Sequence, residues 1–163
     1  MMAIKIKYQI SKIKKFGFTL IELLVVISII GILAALGIAS YSRAEKNTRD
    51  AQRMSDLNQY RIALESYAAA NNMVYPVSSG DISSLCNKVI SGVTFATTYL
   101  SGDCLKDVLA NGSYTYFSSD GTAYTLYAQL ENPNNTYYFF ICSIGRSGKK
   151  VLVTPTATCP TLP

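Results

Sequence analysis

The hydrophobic pattern of the chain begins with a long apolar run near the N-terminus. Leu23 to Ser42 forms a stretch of 20 residues without a charge. At about 1.5 Å per helical residue, such a stretch spans roughly the 30 Å of a bilayer's hydrocarbon. Glu22 stands at the edge of this run, where a carboxylate brings an ordinary membrane anchor no benefit. The pattern therefore predicts a membrane-spanning helix that starts with one unexplained acid.

A second, amphipathic pattern follows the apolar run. From Met54 onward apolar residues recur at intervals of three and four, and Arg, Asp, Gln and Glu occupy the other positions. The apolar positions are Leu57, Tyr60, Leu64, Tyr67 and Ala68. We predict that one helix continues from Phe18 to Asn72 and that its apolar face carries the sheet of a globular head.

Alternation of apolar and polar residues predicts strands in the last third of the chain. The predicted strands are Tyr114–Phe117, Ala123–Leu130, Tyr137–Ile144 and Lys150–Val153. Ser-Ser-Asp120-Gly121 between the first two is typical of a hairpin, and the segment Asn132-Pro-Asn-Asn135 of a turn. The predicted fold class is therefore α+β, with a long N-terminal helix packed on a small antiparallel sheet.

The region between helix and sheet has a different composition, rich in Ser, Thr, Gly and Tyr. Residues 76–112 predict an irregular connection with two short helices, near Ile82–Lys88 and Cys104–Leu109. Asp103 and Asp107 have helical spacing, which we interpret as a solvated helix start.

Positive charge is concentrated ahead of the apolar run. The chain has 15 Lys and Arg against 10 Asp and Glu, and five of the basic residues are the lysines 5, 7, 12, 14 and 15. The positive-inside tendency keeps that end cytoplasmic and exports everything after Ser42. The remaining basic and acidic residues balance. No basic stripe with interleaved aromatics occurs, so no direct nucleic-acid partner is expected.

The residues from Lys14 to Leu36 resemble the class III signal of type IV prepilins and type II secretion pseudopilins. In that family a prepilin peptidase cuts after the glycine and methylates the new N-terminal amine. The resemblance implies cleavage between Gly17 and Phe18, an N-methylated Phe18, and the part of the fifth-position glutamate for Glu22. An ordinary secretory signal would lose its apolar segment, whereas here that segment stays.

Four segments follow from this reading. Residues 1–17 are a cleaved basic leader, and residues 18–42 a transmembrane and filament-core helix. Residues 43–72 form an amphipathic helix. Residues 73–163 form the globular head, with a connecting loop, an antiparallel sheet and a disulfide-bearing C-terminal region.

Glu22 can be given a physical role in assembly. After cleavage each subunit has one ammonium at Phe18 and one carboxylate at Glu22, and an unpaired buried charge costs several kcal/mol. We hypothesise that Glu22 pairs with Phe18 of an adjacent subunit and so sets the axial register.

Small residues in the apolar run offer surfaces for close helix packing. They include Gly31, Ala35 and Gly37. The family commonly has proline at the position of Ala39, so any helix break has to rest on the two glycines, each of which costs about 1 kcal/mol in a helix. Unwinding there would let a filament stretch, although glycine is also simply common in membrane helices.

The cysteines are Cys86, Cys104, Cys142 and Cys159, all in the part predicted to be exported. Their even number and the oxidising location predict two disulfides. Three connectivities are possible, and we favour Cys86–Cys104 with Cys142–Cys159 because each closes a local loop. The second would pin the C-terminal tail to the last long strand, as many pilins do. No metal site is expected, since the chain has no histidine and no CxxC spacing.

Enzymatic chemistry is not expected either. Without histidine, Ser-His-Asp and Cys-His arrangements are impossible, and the acids form no evident pair. We expect no cofactor. The twelve tyrosines predict core and inter-subunit contacts.

The resemblance implies a structural subunit that polymerises into a type IV pilus. Its partners would be further copies of itself, a prepilin peptidase, an assembly platform with an ATPase motor, and membrane lipid before assembly. The precursor would lie in a bacterial cytoplasmic membrane and the product at the cell surface. One alternative is a type II secretion pseudopilin, although major pseudopilins typically have an acidic calcium loop near the C-terminus and residues 154–163 contain no acid. An alternative from another class is a monomeric, membrane-tethered binding module.

Overall fold

The computed structural model describes residues 17–90, 92–109, 112–131, 137–151 and 154–161, and of residue 39 the backbone alone. The predicted leader up to residue 16 and the predicted turn at 132–135 lie outside these residues. The chain divides into two compact units, the first ending at Ser40 and the second beginning at Tyr41.

Helix α1 comprises Leu20–Ala70, close to the predicted span of 18–72. Its C-terminus is closed by a left-handed residue, because Asn72 has φ +54° and the backbone N–H of Met73 donates to the carbonyl of Ala68 at 2.8 Å. This is the Schellman arrangement, in which asparagine tolerates the left-handed conformation. The helix is continuous through Gly31 and Gly37, so the unwinding considered above is not present in the single chain.

The first unit is apolar and uncovered. All described side chains from Phe18 to Ile38 are exposed. By length and composition this end of α1 is apolar enough to cross a membrane. Side chains of this kind need lipid or neighbouring helices around them, since exposing them to water is unfavourable.

The second unit contains an antiparallel sheet of five strands. These are β1 (Ser78–Asp81), β4 (Tyr114–Ser118), β5 (Thr125–Gln129), β6 (Tyr137–Cys142) and β7 (Ser147–Val151), in the spatial order β1-β4-β5-β6-β7. The predicted hairpin at Asp120-Gly121 joins β4 to β5. The last predicted strand is displaced, because β7 begins at Ser147 instead of Lys150. The α+β fold class, a long helix with a small antiparallel sheet, is confirmed.

The core lies between α1 and the inner face of the sheet. Leu57, Tyr60 and Leu64 of α1 are fully buried, as the amphipathic pattern predicts. On the sheet, Tyr116 of β4 is the register partner of Leu126 of β5, and both contribute to the same core. The spacing of the apolar residues on α1 therefore determines which face of the helix packs against the sheet.

The connection between α1 and β4 is more regular than predicted. It contains β1, then α2 (Ser83–Cys86), the short pair β2 (Val89–Ile90) and β3 (Val93–Thr94), and α3 (Phe95–Tyr99). The helix predicted near Ile82–Lys88 corresponds to α2. The helix predicted at Cys104–Leu109 is wrong, because this segment contains no helical turn and the Asp107 side chain is buried instead of solvated.

A C-terminal segment covers the outer face of the sheet. Residues 154–161, here called the strap, lie over β5 and β6, where the Tyr127 hydroxyl donates to the Thr156 carbonyl at 2.9 Å. Tyr127 and Phe140 are fully buried on this face. Both faces of the sheet are thus covered, the inner by α1 and the outer by the strap.

Gly121 in the β4–β5 connection should tolerate no side chain. Its φ is +80°, and a Cβ would lie 2.6 Å from a Val74 methyl and 2.8 Å from the Tyr75 carbonyl oxygen. Gly145 is a matched control, with φ +79° and open space around it. Gly145→Ala should cost about 1 to 2 kcal/mol for its backbone conformation, and Gly121→Ala about 1 to 3 kcal/mol more for overpacking. Urea unfolding measures both, and equal losses would contradict the steric argument.

Candidate assembly site

The predicted cleavage site lies just ahead of α1. Gly17 and Phe18 are non-helical and exposed, Phe18 to 87% of its surface. A Cβ on Gly17 would meet nothing within 4 Å. Within the part of the chain that the structure describes, nothing covers the peptide bond between the two residues.

Glu22 closes the N-terminus of α1 through a reciprocal pair of contacts with Thr19. Its carboxylate accepts from the backbone N–H of Thr19 at 2.9 Å and from the hydroxyl at 2.8 Å. The Thr19 hydroxyl oxygen in turn accepts from the backbone N–H of Glu22 at 3.2 Å. This arrangement is a capping box, which satisfies backbone donors that a helix start leaves free.

The capping box is a structural role of Glu22 that the sequence analysis did not assign. The signal was nonetheless present, because Thr-x-x-Glu before an apolar run is the sequence pattern of a capping box. In the single chain the Glu22 carboxylate accepts hydrogen bonds from Thr19. Pairing with Phe18 of another subunit stays a prediction.

The predicted packing residues all lie on the exposed part of α1. Gly31 and Ala35 are one turn apart and so share a face, whereas Gly37 lies on another side. A Cβ at either glycine would meet nothing within 4 Å. Among the described residues nothing crowds the two glycines, which leaves room beside them for a neighbouring helix.

A buried ion cluster ties α1 to two loops of the second unit. Arg53 is 2% exposed. Its guanidinium binds Asp107 through two bonds, Nε to Oδ2 at 2.6 Å and Nη2 to Oδ1 at 2.9 Å. Nη1 donates to Glu131 at 2.7 Å and to Asp50 at 2.9 Å. Arg49 adds two further bonds to Glu131.

The cluster joins residues far apart in the chain. Asp107 precedes β4, Glu131 follows β5, and the two arginines are one turn apart on α1. A guanidinium with two parallel bonds to a carboxylate fixes both distance and orientation. Sequence analysis missed this cluster, because no local spacing relates Arg53 to acids 54 and 78 residues away.

A buried tyrosine–carboxylate pair lies beside the cluster. The Tyr114 hydroxyl donates to Asp56 at 2.5 Å, and both side chains are buried. Burial raises the pKa of Asp56 above its usual value, while the bond from Tyr114 opposes that shift. Burial and the neighbouring Asp56 carboxylate raise the pKa of Tyr114.

The carboxylate of Glu131 should make the free energy of unfolding depend on pH in the acidic range. Hydrogen bonds from Arg49 lower the pKa of Glu131 from 4.5 to about 2, with Arg53 acting in the same direction. Because the folded pKa lies below the unfolded one, this carboxylate stabilises the fold above pH 4.5 and the contribution is lost as pH falls towards 2. We expect Glu131→Gln to be less stable than wild type at neutral pH and to lose less stability on acidification. Urea unfolding across this range measures it, and parallel curves would contradict the assignment.

The four cysteines form two disulfides in the structure. Cys86 is joined to Cys104 with a Cα–Cα distance of 5.8 Å, and Cys142 to Cys159 with 5.9 Å. These are the pairings that the sequence analysis favours. The second disulfide attaches the strap to β6.

Comparisons with known proteins bear on the N-terminal part. A family model described as a prokaryotic N-terminal methylation motif matches residues 12–38. The type IV major fimbrial protein FimA of Dichelobacter nodosus is 47% identical over 49 residues, which are 30% of this chain and 31% of FimA. The type II secretion system core protein G of Aeromonas hydrophila is 35% identical over 77 residues, 47% of this chain and 53% of that protein.

The matched motif and these relatives together support a place for the chain in the type IV pilin and pseudopilin superfamily. A fimbrial protein of Pseudomonas aeruginosa, 44% identical over 50 residues covering 31% of this chain and 32% of that protein, is another relative. No solved structure matches the chain significantly.

The similarity is confined to part of each relative. The matches span about a third of the fimbrial proteins and about half of the secretion protein. The region matched by the family model contains the predicted cleavage site, Glu22 and most of the apolar run of α1. The sheet, the ion cluster and the strap lie beyond the matched motif.

Proposed function

We propose that the chain is the structural subunit of a type IV pilus, and not an enzyme. The main support is the exposed surface of the first unit. This unit is an apolar helix that is exposed along its whole described length and has one carboxylate at its start. Such a surface is stable in lipid, and it is equally stable against copies of itself once the subunits leave the membrane. The second unit is then the part displayed on the filament surface.

Processing is the first step of this proposal. A prepilin peptidase removes residues 1–17 and methylates the amine of Phe18, and residues 18–42 remain as the membrane and filament-core helix. Residues 43–72 and 73–163 form the amphipathic helix and the head. The exposure of Gly17 and Phe18 supports access to this bond.

Mass spectrometry of the N-terminus of the mature protein tests processing directly. We expect a chain that begins at Phe18 and in which a methyl group replaces one hydrogen of the N-terminal amine. A native protein that retains its first seventeen residues would refute the proposal.

Assembly is the second step. The carboxylate of Glu22 leaves the capping box with Thr19 and accepts the Phe18 amine of an adjacent subunit, which neutralises both charges in a core without water. Gly31, Ala35 and Gly37 allow neighbouring helices to approach closely. Extraction from lipid exposes apolar surface, so an assembly platform with an ATPase motor supplies the work.

The precursor accordingly lies in a bacterial cytoplasmic membrane, in contact with lipid, and the product at the cell surface. No direct nucleic-acid partner is part of the proposal.

A type II secretion pseudopilin is the second candidate. The match to core protein G favours it, because that match covers more of this chain than the match to FimA, 47% against 30%. Negative-stain microscopy of material sheared from cells separates the candidates. Long filaments that contain the chain support the pilus, and short or absent ones the secretion system. Membrane-bound monomer alone would support a tethered binding module.

A further inference from the structure

The strap covers an aromatic patch on the outer face of the sheet. The patch consists of Phe117, Tyr127, Tyr138 and Phe140, packed together with Cys142 and Cys159. Tyr127 is 1% exposed and Phe140 is 0% exposed. Without the strap, these rings would face solvent on a surface that α1 does not reach, since α1 packs on the inner face.

The strap is held by side chains that reach its backbone. The Tyr127 hydroxyl donates to the carbonyls of Thr156 at 2.9 Å and Thr158 at 3.2 Å, and the Thr125 hydroxyl donates to Thr156 at 3.2 Å. Lys150 Nζ donates to the Thr161 carbonyl at 2.7 Å. Among the described residues no backbone–backbone hydrogen bond joins the strap to a strand.

The strap contributes little apolar surface of its own. Of its residues only Pro160 is buried, and most of the others are exposed threonines and an alanine. Single hydrogen bonds to carbonyls compete with water and add little net stability. The disulfide between Cys142 and Cys159 is therefore the contact that keeps the strap at a high effective concentration over the patch.

We propose that the strap is a redox-gated cover of the outer face. While Cys142 and Cys159 are thiols, the strap is released and the aromatic patch is open. Forming the S–S bond transfers two electrons and two protons from the thiols to a disulfide oxidant, which becomes a dithiol, and this closes the strap. A dithiol reductant reverses the step. The outer face is thus completed only in an oxidising compartment, a property that does not depend on the proposed pilus function.

The other disulfide acts on a different part of the molecule. Cys86 is fully buried in the inner core, where the Tyr60 hydroxyl lies 3.5 Å from its sulfur. Neither Cys86 nor Cys104 packs in the outer cluster. The chain therefore supplies its own control, one disulfide that gates the outer face and one that does not.

Hydroxyl-radical labelling of the full chain in lipid nanodiscs tests the gate, with Tyr127 and Tyr60 read separately by mass spectrometry. In a Cys86→Ser/Cys104→Ser variant only the strap disulfide can be reduced. We expect dithiothreitol to raise the labelling of Tyr127 several-fold and to leave Tyr60 unchanged. In the matched Cys142→Ser/Cys159→Ser variant, labelling of Tyr127 should be high throughout and independent of dithiothreitol.

Two outcomes would overturn the proposal. One is unchanged labelling of Tyr127 after both thiols are shown to be free. The other is an equal rise at Tyr60, which would mean general unfolding and no separate gate.

A second variant keeps all four cysteines. Tyr127→Phe retains the ring in the patch and removes the two hydrogen bonds to the strap. We expect dithiothreitol to reduce Cys142–Cys159 several-fold faster than in wild type, at an unchanged rate for Cys86–Cys104. If both rates stay as in wild type, or both rise equally, the strap is not held as proposed.

Discussion

Replacing Arg53 by methionine is expected to destabilise the second unit by about 3 to 5 kcal/mol, the cost of removing one partner from a buried ion pair. Arg53 is 2% exposed and serves three carboxylates, those of Asp107, Glu131 and Asp50. Methionine fills most of the space and donates no hydrogen bond. Asp107, whose side chain is 4% exposed, would remain buried without the two bonds from Arg53.

Urea unfolding of the full chain in detergent, followed by the near-ultraviolet signal of its tyrosines, measures this loss. Arg43→Met is the matched control, because Arg43 lies on the same helix and is exposed; its effect should stay within about 0.5 kcal/mol. Arg53→Met/Asp107→Leu also removes the buried carboxylate that has lost its guanidinium partner, so the double variant should be more stable than Arg53→Met alone. A double variant that is less stable than either single variant would contradict this account of the cluster.

Replacing Glu22 by glutamine is expected to abolish filaments while leaving the helix start intact. Glutamine can serve in a capping box as glutamate does, since its side-chain oxygen still accepts from the Thr19 backbone. It cannot neutralise the Phe18 ammonium of a neighbour. At about 3 kcal/mol for each unpaired charge, the assembly constant should fall roughly a hundredfold.

Thr19→Val is the complementary variant, because it removes the hydroxyl contacts of the cap and keeps the charge. We expect it to be processed and to assemble. Filament yield from sheared cells, together with the mature N-terminal mass, measures both variants. Normal filaments from Glu22→Gln, or their loss only in Thr19→Val, would show that Glu22 acts as a cap and not as an intermolecular partner.

The parts of the fold that depend on local periodicity were predictable. The period of 3.6 on α1 identified Leu57, Tyr60 and Leu64 as buried, and the Asn71-Asn72 pair identified its end. Alternation located β4, β5 and β6. These features follow from contacts between near neighbours in sequence, which patterns report directly.

The parts that depend on distant contacts were not predictable. β1 has no alternating pattern and contains Gly80 at φ +106°, and only its pairing with β4 makes it a strand. Asp107 was expected on a solvated helix, but it lies in a loop, where it binds Arg53, 54 residues away in the chain. At the assembly site, the resemblance to prepilins indicates Glu22. The capping box of Glu22 with Thr19 corresponds to the local pattern Thr-x-x-Glu, from which it could also be predicted.

The edge strand β7 protects the protein against aggregation through its sheet. Among the described strands β7 is the last in the sheet, and it contains Lys149 and Lys150 next to Gly148. Adding another strand there would bring ammonium groups of the same charge together and remove water from them. Lysines on an edge strand are a common protection against amyloid-type growth for this reason. In the proposed filament, the second units of neighbouring subunits can therefore lie side by side without their sheets joining.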